Sequence, residues 1–276
     1  MNAPMGSLER LRAFFDRPME TVLSDPARAE VHEALLIALE SGGLRAADRQ
    51  PDGSWTANAW VKQAILAGFR ISPLAEMPGA GFPAFDRTAY PPRHFELAEG
   101  VRLVPGGSAV RRGAFVSKGV VIMPPAYINV GAFVDEGTMV DSHALVGSCA
   151  QVGKRVHLSA GAQVGGVLEP AGALPVVVED EAFVGGLVGL FEGVVVRRRA
   201  VLAPGVLITG TTVIHDLVHG RELRREVPEG AVVVPGSRPA SGDYAQARGL
   251  HLYTPCIVKY RDERTDAATC LEESLR

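Results

Sequence analysis

Residues 110–164 read VRRGAFVSKGVVIMPPAYINVGAFVDEGTMVDSHALVGSCAQVGKRVHLSAGAQV. Every sixth residue from Val110 is aliphatic: Val116, Ile122, Ile128, Val134, Val140, Val146, Val152, Leu158 and Val164. Four places after each comes a small or β-branched residue, namely Ala114, Val120, Ala126, Ala132, Thr138, Ala144, Ala150, Val156 and Ala162, until the larger Leu168 ends the series. A helix repeats every ~3.6 residues and an alternating strand every two, so this period fits neither. It is a hexapeptide repeat, which predicts a parallel β-helix of short strands. With three strands per turn, residues 18 apart stack on successive coils. The pattern slips by two across Gly165–Val177 and resumes at Val178, Val184, Leu190, Val196, Leu202, Ile208 and Ile214.

On either side the period changes. Leu8, Leu11 and Phe15 fall on one helical stripe. Asp25-Pro26 reads as a cap with Pro at the first helical position. Val31, Leu35, Ala38 and Leu39 then recur at helical spacing until Gly42-Gly43. Trp60, Val61, Ile65, Leu66 and Phe69 form a further stripe, and Gly79–Pro92 reads as a linker. From about His215 the chain reads as loop, then strand at Ala231–Pro235 and Cys256–Tyr260, then a charged helical end at Asp266–Arg276. An exposed last coil would leave open backbone edges, so the tail should cover it. The expected organisation is a helical N-terminal domain over 1–95, a β-helix over 100–214 with an excursion at 165–177, and a mixed cap over 215–276.

Composition narrows the function. Twenty-eight Lys plus Arg against 31 Asp plus Glu give a net charge of -3, too flat for a general nucleic-acid or membrane-surface binder. Cys149, Cys256 and Cys270 make neither a disulfide framework nor a CxxC zinc site. No apolar run is long enough for a signal peptide or a membrane span. A reducing cytoplasm is expected.

The stacking rule sorts the charges. Glu179-Asp180-Glu181 falls one coil below Arg197-Arg198-Arg199, and Glu136 lies between Lys118 and Lys154, so both sets read as ion ladders between coils. Asp141 stacks on Met123 and Ser159, neither a cation, so it is either solvated or reserved for a ligand. Glu192 is similarly placed, between Gly210 and the excursion. His143 and His157 lie within the coils; either is a candidate general base or simply a solvated or packed ring. His215 and His219 lack the Glu of an HExxH metal site. Cys149 reads as a packed thiol.

Four stretches, Val134–Asp141 (VDEGTMVD), Val146–Lys154 (VGSCAQVGK), Gly165–Pro170 (GGVLEP) and the tail Ile257–Arg261 (IVKYR), carry a resemblance. Through them the chain from Arg102 onward resembles the tetrahydrodipicolinate N-succinyltransferase family of the diaminopimelate route to lysine. The resemblance implies a left-handed β-helix, against the usual right-handed crossover. It implies a homotrimer with active sites between subunits, and an acyl-coenzyme A donor, succinyl-CoA or acetyl-CoA, lying along the coil edges. The acceptor would be the amine of tetrahydrodipicolinate or of its opened form, 2-amino-6-oxopimelate.

Residue by residue, the family's acid at the acceptor amine maps onto Asp141. Its carboxylate-gripping Arg maps onto Arg102, a role that suits a planar guanidinium. The resemblance adds Met139, Ser148, Gly166 and Glu169 as substrate contacts. For coenzyme A it adds Gly185, Gly186, Ala203 and Gly205, with Lys259 and Arg261 in the tail able to meet phosphates or merely to edge a strand. One departure stands out. Many members carry Ser-Glu-Val-Val-Glu-Gly, the first Glu being assigned to the active site; here Val188–Gly193 places Gly189 there and keeps only Glu192. Either Glu192 and Asp141 share the work, or the acceptor or acyl group has changed, an apolar pocket favouring acetyl. A non-catalytic scaffold is the remaining alternative. For the enzyme, Asp141 would take the ammonium proton and orient the amine, and Gly166 or Gly185-Gly186 would offer N–H groups to the oxyanion. Neither a metal nor a permanently bound cofactor is required.

Overall fold

The computed structural model describes residues 5–77 and 83–262. The expected helix at Asp266–Arg276, Cys270 and part of the Gly79–Pro92 segment lie outside them. The chain is mainly β: a parallel β-helix preceded by helices and followed by a strand-rich tail. Two-residue strands lie on three faces. Phe115–Val116, Phe133–Val134, Gln151–Val152, Val177–Val178 and Val195–Val196 stack on the first. Val121–Ile122, Met139–Val140, His157–Leu158, Phe183–Val184 and Val201–Leu202 form the second. Tyr127–Ile128, Leu145–Val146, Gln163–Val164, Gly189–Leu190 and Leu207–Ile208 form the third.

The register is the predicted one. Met139 pairs with His157, 18 residues on, whereas across the excursion Gln151 pairs with Val177, 26 residues on. The aliphatic column from Val110 to Ile214 and the small residues four places on fill one continuous core. Burying each such aliphatic side chain contributes roughly 1.5–3 kcal/mol. Thr138 is the polar member of that column. Its hydroxyl donates to the Gly153 carbonyl (2.7 Å) and accepts the Val156 N–H (3.1 Å), which meets the requirement for a buried polar group. Leu168 leaves the column and packs against the helical domain instead, because the chain departs from the coil at Gly165. Many corners turn on a left-handed residue, Gly at Gly131 and Gly161 but Cys149, Arg155 and Leu187 elsewhere.

Helices α1 (Met5–Phe15), α2 (Met19–Ser24), α3 (Arg28–Glu40) and α4 (Ala59–Ile71) form the N-terminal core. α3 starts two residues later than the cap reading predicts. The Asp25 carboxylate accepts the Ala27 N–H (2.9 Å) and its carbonyl the Arg28 N–H, so Pro26 and Ala27 form a turn ahead of the helix. The stripes are buried as expected at Leu35, Ala38, Leu39, Val61 and Ile65. This core runs on into the β-helix through Val130 and Cys149, and Arg112 ties the corner to Glu33 and Glu40 of α3.

Two segments read as linker or loop carry strands. Ala84–Arg87 pairs with Leu74–Met77, and Tyr90 is buried. After the last coils, Val213–Asp216 pairs with Arg221–Arg224. The tail hairpin of Ala231–Pro239 and His251–Tyr260 extends the second face through Val201–Val232 pairing, covering the open edge. Among the described residues no helix is long and apolar enough to cross a membrane.

Candidate active site

The expected site residues fall into two groups on different corners of the prism. At the corner between second and third faces, each coil's turn residue donates its N–H to the coil above: Asp141 to Leu158, Ser159 to Val184 and Gly185 to Leu202, all at 2.9 Å. Asp141, Ser159, Gly185 and Ala203 therefore form one edge, with Gly186 and Gly205 beside them. Asp141 is half-buried and one of its oxygens accepts the adjacent Ser142 N–H at 2.7 Å. Among the described residues no cation pairs with it. Met139, two residues earlier, is in the second-face column. Arg102 is exposed in that column, two coils below, paired to Val121.

The second group surrounds a cavity of about 640 Å³ at the corner between third and first faces. Gly166, Glu169 and Glu192 line it, together with Phe191, Thr209 and Arg225. Ser148 adjoins them through its carbonyl, which accepts the Val167 N–H. Glu192 receives the Gly210 N–H at 3.1 Å. Within one chain, then, Asp141 and Glu192 are not brought together. Nor does Arg261 reach the Gly185 edge. The Arg261 N–H donates to the Gly230 carbonyl (2.7 Å) and its guanidinium to that of Arg199, at the corner between first and second faces.

Several alternatives resolve on contacts. The Gly185 N–H is held by Leu202, whereas Gly166 and Gly186 donate to no acceptor among the described residues. The His157 ring lies flat on Phe183, centroids 5.1 Å apart, and His143 is exposed at a left-handed corner. His219 bonds Asp216 at 2.9 Å, while His215 stands 3.9 Å from Glu222. Tyr260 and Arg221 complete the Asp216 cluster. Burial alone would raise the Asp216 carboxyl, but the hydrogen bonds from Tyr260, His219 and Arg221 bring it well below the usual range. Cys149 is fully buried in the helical-domain core, and burial pushes its thiol up to about 12. It is a packed thiol. Two rungs of the charge ladder are as expected, Arg197 with Glu179 (3.0 Å) and Lys118 with Glu136; Arg198 instead pairs Glu181, as does Arg155, and Arg199 donates to the Asp262 carbonyl. Asp180 instead accepts the Lys154 N–H.

Gly189 faces outward on the third face between Gln163 and Leu207. A Cβ there would lie 2.5 Å from Leu207 Cδ1 and 2.7 Å from the Phe191 ring, so those two side chains occupy the space of an acid at that position. Two residues escaped the sequence reading. Lys62 carries no motif, and Arg225 lies where the hairpin of 213–224 hides the six-residue period.

A hexapeptide β-helix with an unpaired acid on one edge and glycine-lined corners beside it has the build of the hexapeptide-repeat acyltransferases. Residues 11–71 match the family model described as tetrahydrodipicolinate N-succinyltransferase N-terminal. The chain is 44% identical over 269 residues to the 2,3,4,5-tetrahydropyridine-2,6-dicarboxylate N-succinyltransferase of Nitrobacter hamburgensis, covering 93% of this chain and 94% of the relative. It is 45% identical over 271 residues to the protein of that name from Azoarcus sp., covering 96% of each. The chain belongs to the 2,3,4,5-tetrahydropyridine-2,6-dicarboxylate N-succinyltransferase family.

Proposed function

We propose that this chain is an N-acyltransferase that moves the succinyl group of succinyl-CoA onto the amine of tetrahydrodipicolinate, or of its opened form 2-amino-6-oxopimelate. The observation that carries this is Asp141, half-buried and, among the described residues, without a cation partner, on an edge otherwise built of small residues, in a chain whose relatives bear that enzyme's name. Its carboxylate takes a proton from the acceptor ammonium and aims the neutral amine at the thioester carbonyl. The C–N bond forms, the tetrahedral oxyanion collapses, and coenzyme A leaves as its thiol. Arg102 holds one acceptor carboxylate bidentately. The small residues Gly185, Gly186, Ala203 and Gly205 let coenzyme A lie close along the edge.

A homotrimer completes the site. The third face lies between the Asp141 edge and the Glu192 cavity and exposes Tyr127 and Leu207. Packing that face about a three-fold axis sets one subunit's Asp141 edge against its neighbour's Gly166–Glu192 corner. Gly186 stands two coils, about 10 Å, above Asp141, too far to meet the carbonyl that the amine attacks. We therefore assign the oxyanion to the Gly166 N–H. Gly189, closed over by the apolar Leu207 and Phe191, supports a second reading, an acetyl-CoA donor in a more apolar, uncharged pocket.

The test is coenzyme A release with enzymatically generated tetrahydrodipicolinate, succinyl-CoA and acetyl-CoA being offered in parallel. A succinyl preference supports the first reading and an acetyl preference the second. Silence with both removes the acceptor assignment. For the base, Asp141→Asn should lower kcat by roughly two orders of magnitude or more; a loss of only a few-fold would shift the role to another group.

A further inference from the structure

Arg225 sits in a slot that the fold reserves for a buried aliphatic residue. The residue before each first-face strand is Ala132, Ala150, Val176 and Val194 on successive coils, all buried. Arg225 is next in that series. The Val177 N–H donates to the Val194 carbonyl, and the Val195 N–H to that of Arg225 (2.8 Å). Yet Arg225 takes a left-handed φ of 61° and is exposed. The earlier members of that series, Ala132, Ala150, Val176 and Val194, take no left-handed conformation, so the outward turn is peculiar to this coil. The turn places the guanidinium at the mouth of the 640 Å³ cavity that Glu169 and Glu192 line.

One residue holds the two opposed charges. Gly210 donates its N–H to Glu192 Oε2 (3.1 Å) and accepts Arg225 Nε–H at its carbonyl (3.2 Å). Arg225 forms no ion pair with Glu169 or Glu192 among the described residues, so cation and carboxylates face the same space without neutralising each other. That space suits a ligand carrying an amine and a carboxylate together.

We propose that Arg225 is a substrate-binding residue, reading a carboxylate of the amino-dicarboxylate acceptor while Glu192 faces its amine end. This rests on the acceptor class given under Proposed function and adds a determinant of its specificity. The free N–H groups of a guanidinium match a carboxylate in fork geometry, which a lysine cannot reproduce.

The experiment uses the full chain with Arg225→Gln and Arg225→Lys, varying acceptor and acyl donor separately. The expected result for Arg225→Gln is a roughly ten- to hundredfold rise in acceptor KM, with kcat and donor KM near the parent's and partial recovery in Arg225→Lys. An unchanged acceptor KM in a folded Arg225→Gln protein overturns the proposal. So does a rise confined to the donor KM, which would place the acyl carboxylate there. If the parent turns over no amino-dicarboxylate, the functional reading fails by itself, and binding of 2-aminopimelate by calorimetry decides Arg225. Binding by the parent that Arg225→Gln abolishes sustains the carboxylate site; equal binding or none overturns it.

Discussion

Lys62 of α4 donates from its buried ammonium to the carbonyl of Ala173 at 2.5 Å, across the boundary between the helical domain and the β-helix. Ala173 belongs to the excursion that carries Gly166 and Glu169, so a helix outside the coils fixes one wall of the cavity. Burial pushes the Lys62 ammonium below the ordinary lysine range, opposed by Cys149, and the ammonium meets the Ala173 carbonyl there. Lys62→Met keeps the aliphatic stem and leaves that carbonyl unpaired, a loss of about 1–3 kcal/mol. Urea unfolding should show that loss, and steady-state kinetics a several-fold higher acceptor KM with donor KM unchanged. Parent-like acceptor KM would mean that the wall holds without this contact.

His32 gives the helical domain a pH dependence. Its Nε2 lies 2.9 Å from the Tyr90 hydroxyl, which itself donates to the Ile65 carbonyl. Burial, aided by Arg112 and opposed by Glu33, pushes the imidazole down to about 4. Between pH 4 and 6.5 the unfolded chain binds the extra proton and the folded one does not, so stability rises with pH across that window. Its loss on acidification reaches about 3 kcal/mol below pH 4. Melting temperatures measured from pH 4 to 7 should fall more steeply for the parent than for His32→Phe. Parallel curves would exclude this histidine as the source.

The ion ladder is uneven in strength. Glu179 is nearly buried and takes hydrogen bonds from Trp55 Nε1, Arg197 and the Arg198 N–H, whereas Lys118 and Glu136 form an exposed pair at 3.4 Å. Glu179→Ala should cost about 2–4 kcal/mol, since it leaves the Trp55 indole and the Arg198 N–H without their acceptor, while Arg197 keeps Glu226 and the Gly53 carbonyl. Glu136→Ala should cost under about 1 kcal/mol. Chemical denaturation of both variants side by side checks the ranking, and equal losses would contradict it.

Restoring the family acid should not restore a family site. Gly189→Glu drives a side chain into Leu207 and Phe191, with an overpacking cost of about 1–3 kcal/mol. The variant should melt lower than the parent, with Leu207→Ala recovering part of the loss. Parent-like melting of Gly189→Glu alone would show that Phe191 and Leu207 yield freely.

Much of the fold was legible because a coil tolerates only small and aliphatic residues inside, and that demand repeats every six residues. The columns from Val110 to Val164 and from Val178 to Ile214 and the stacking of Met139 on His157 follow from it. The helical stripes at Leu35 and Ile65 were equally plain, since each buries one face. What the period could not supply is phase across interruptions. The excursion spaces Gln151 from Val177, and the hairpin of 213–224 separates Ile208 from the next coil; only paired backbones decide which corner each residue then occupies. Tertiary structure therefore decided that Asp141 and Glu192 stand on different corners of one chain and that Leu207 and Phe191 fill the space at Gly189. It also decided that Lys62 reaches the excursion and that Arg225 turns outward from a core slot. The sequence by itself determined the repeat and its core, because burial acts on each residue where it stands. The site was left to the folded chain, because it joins residues whose spacing no local rule constrains.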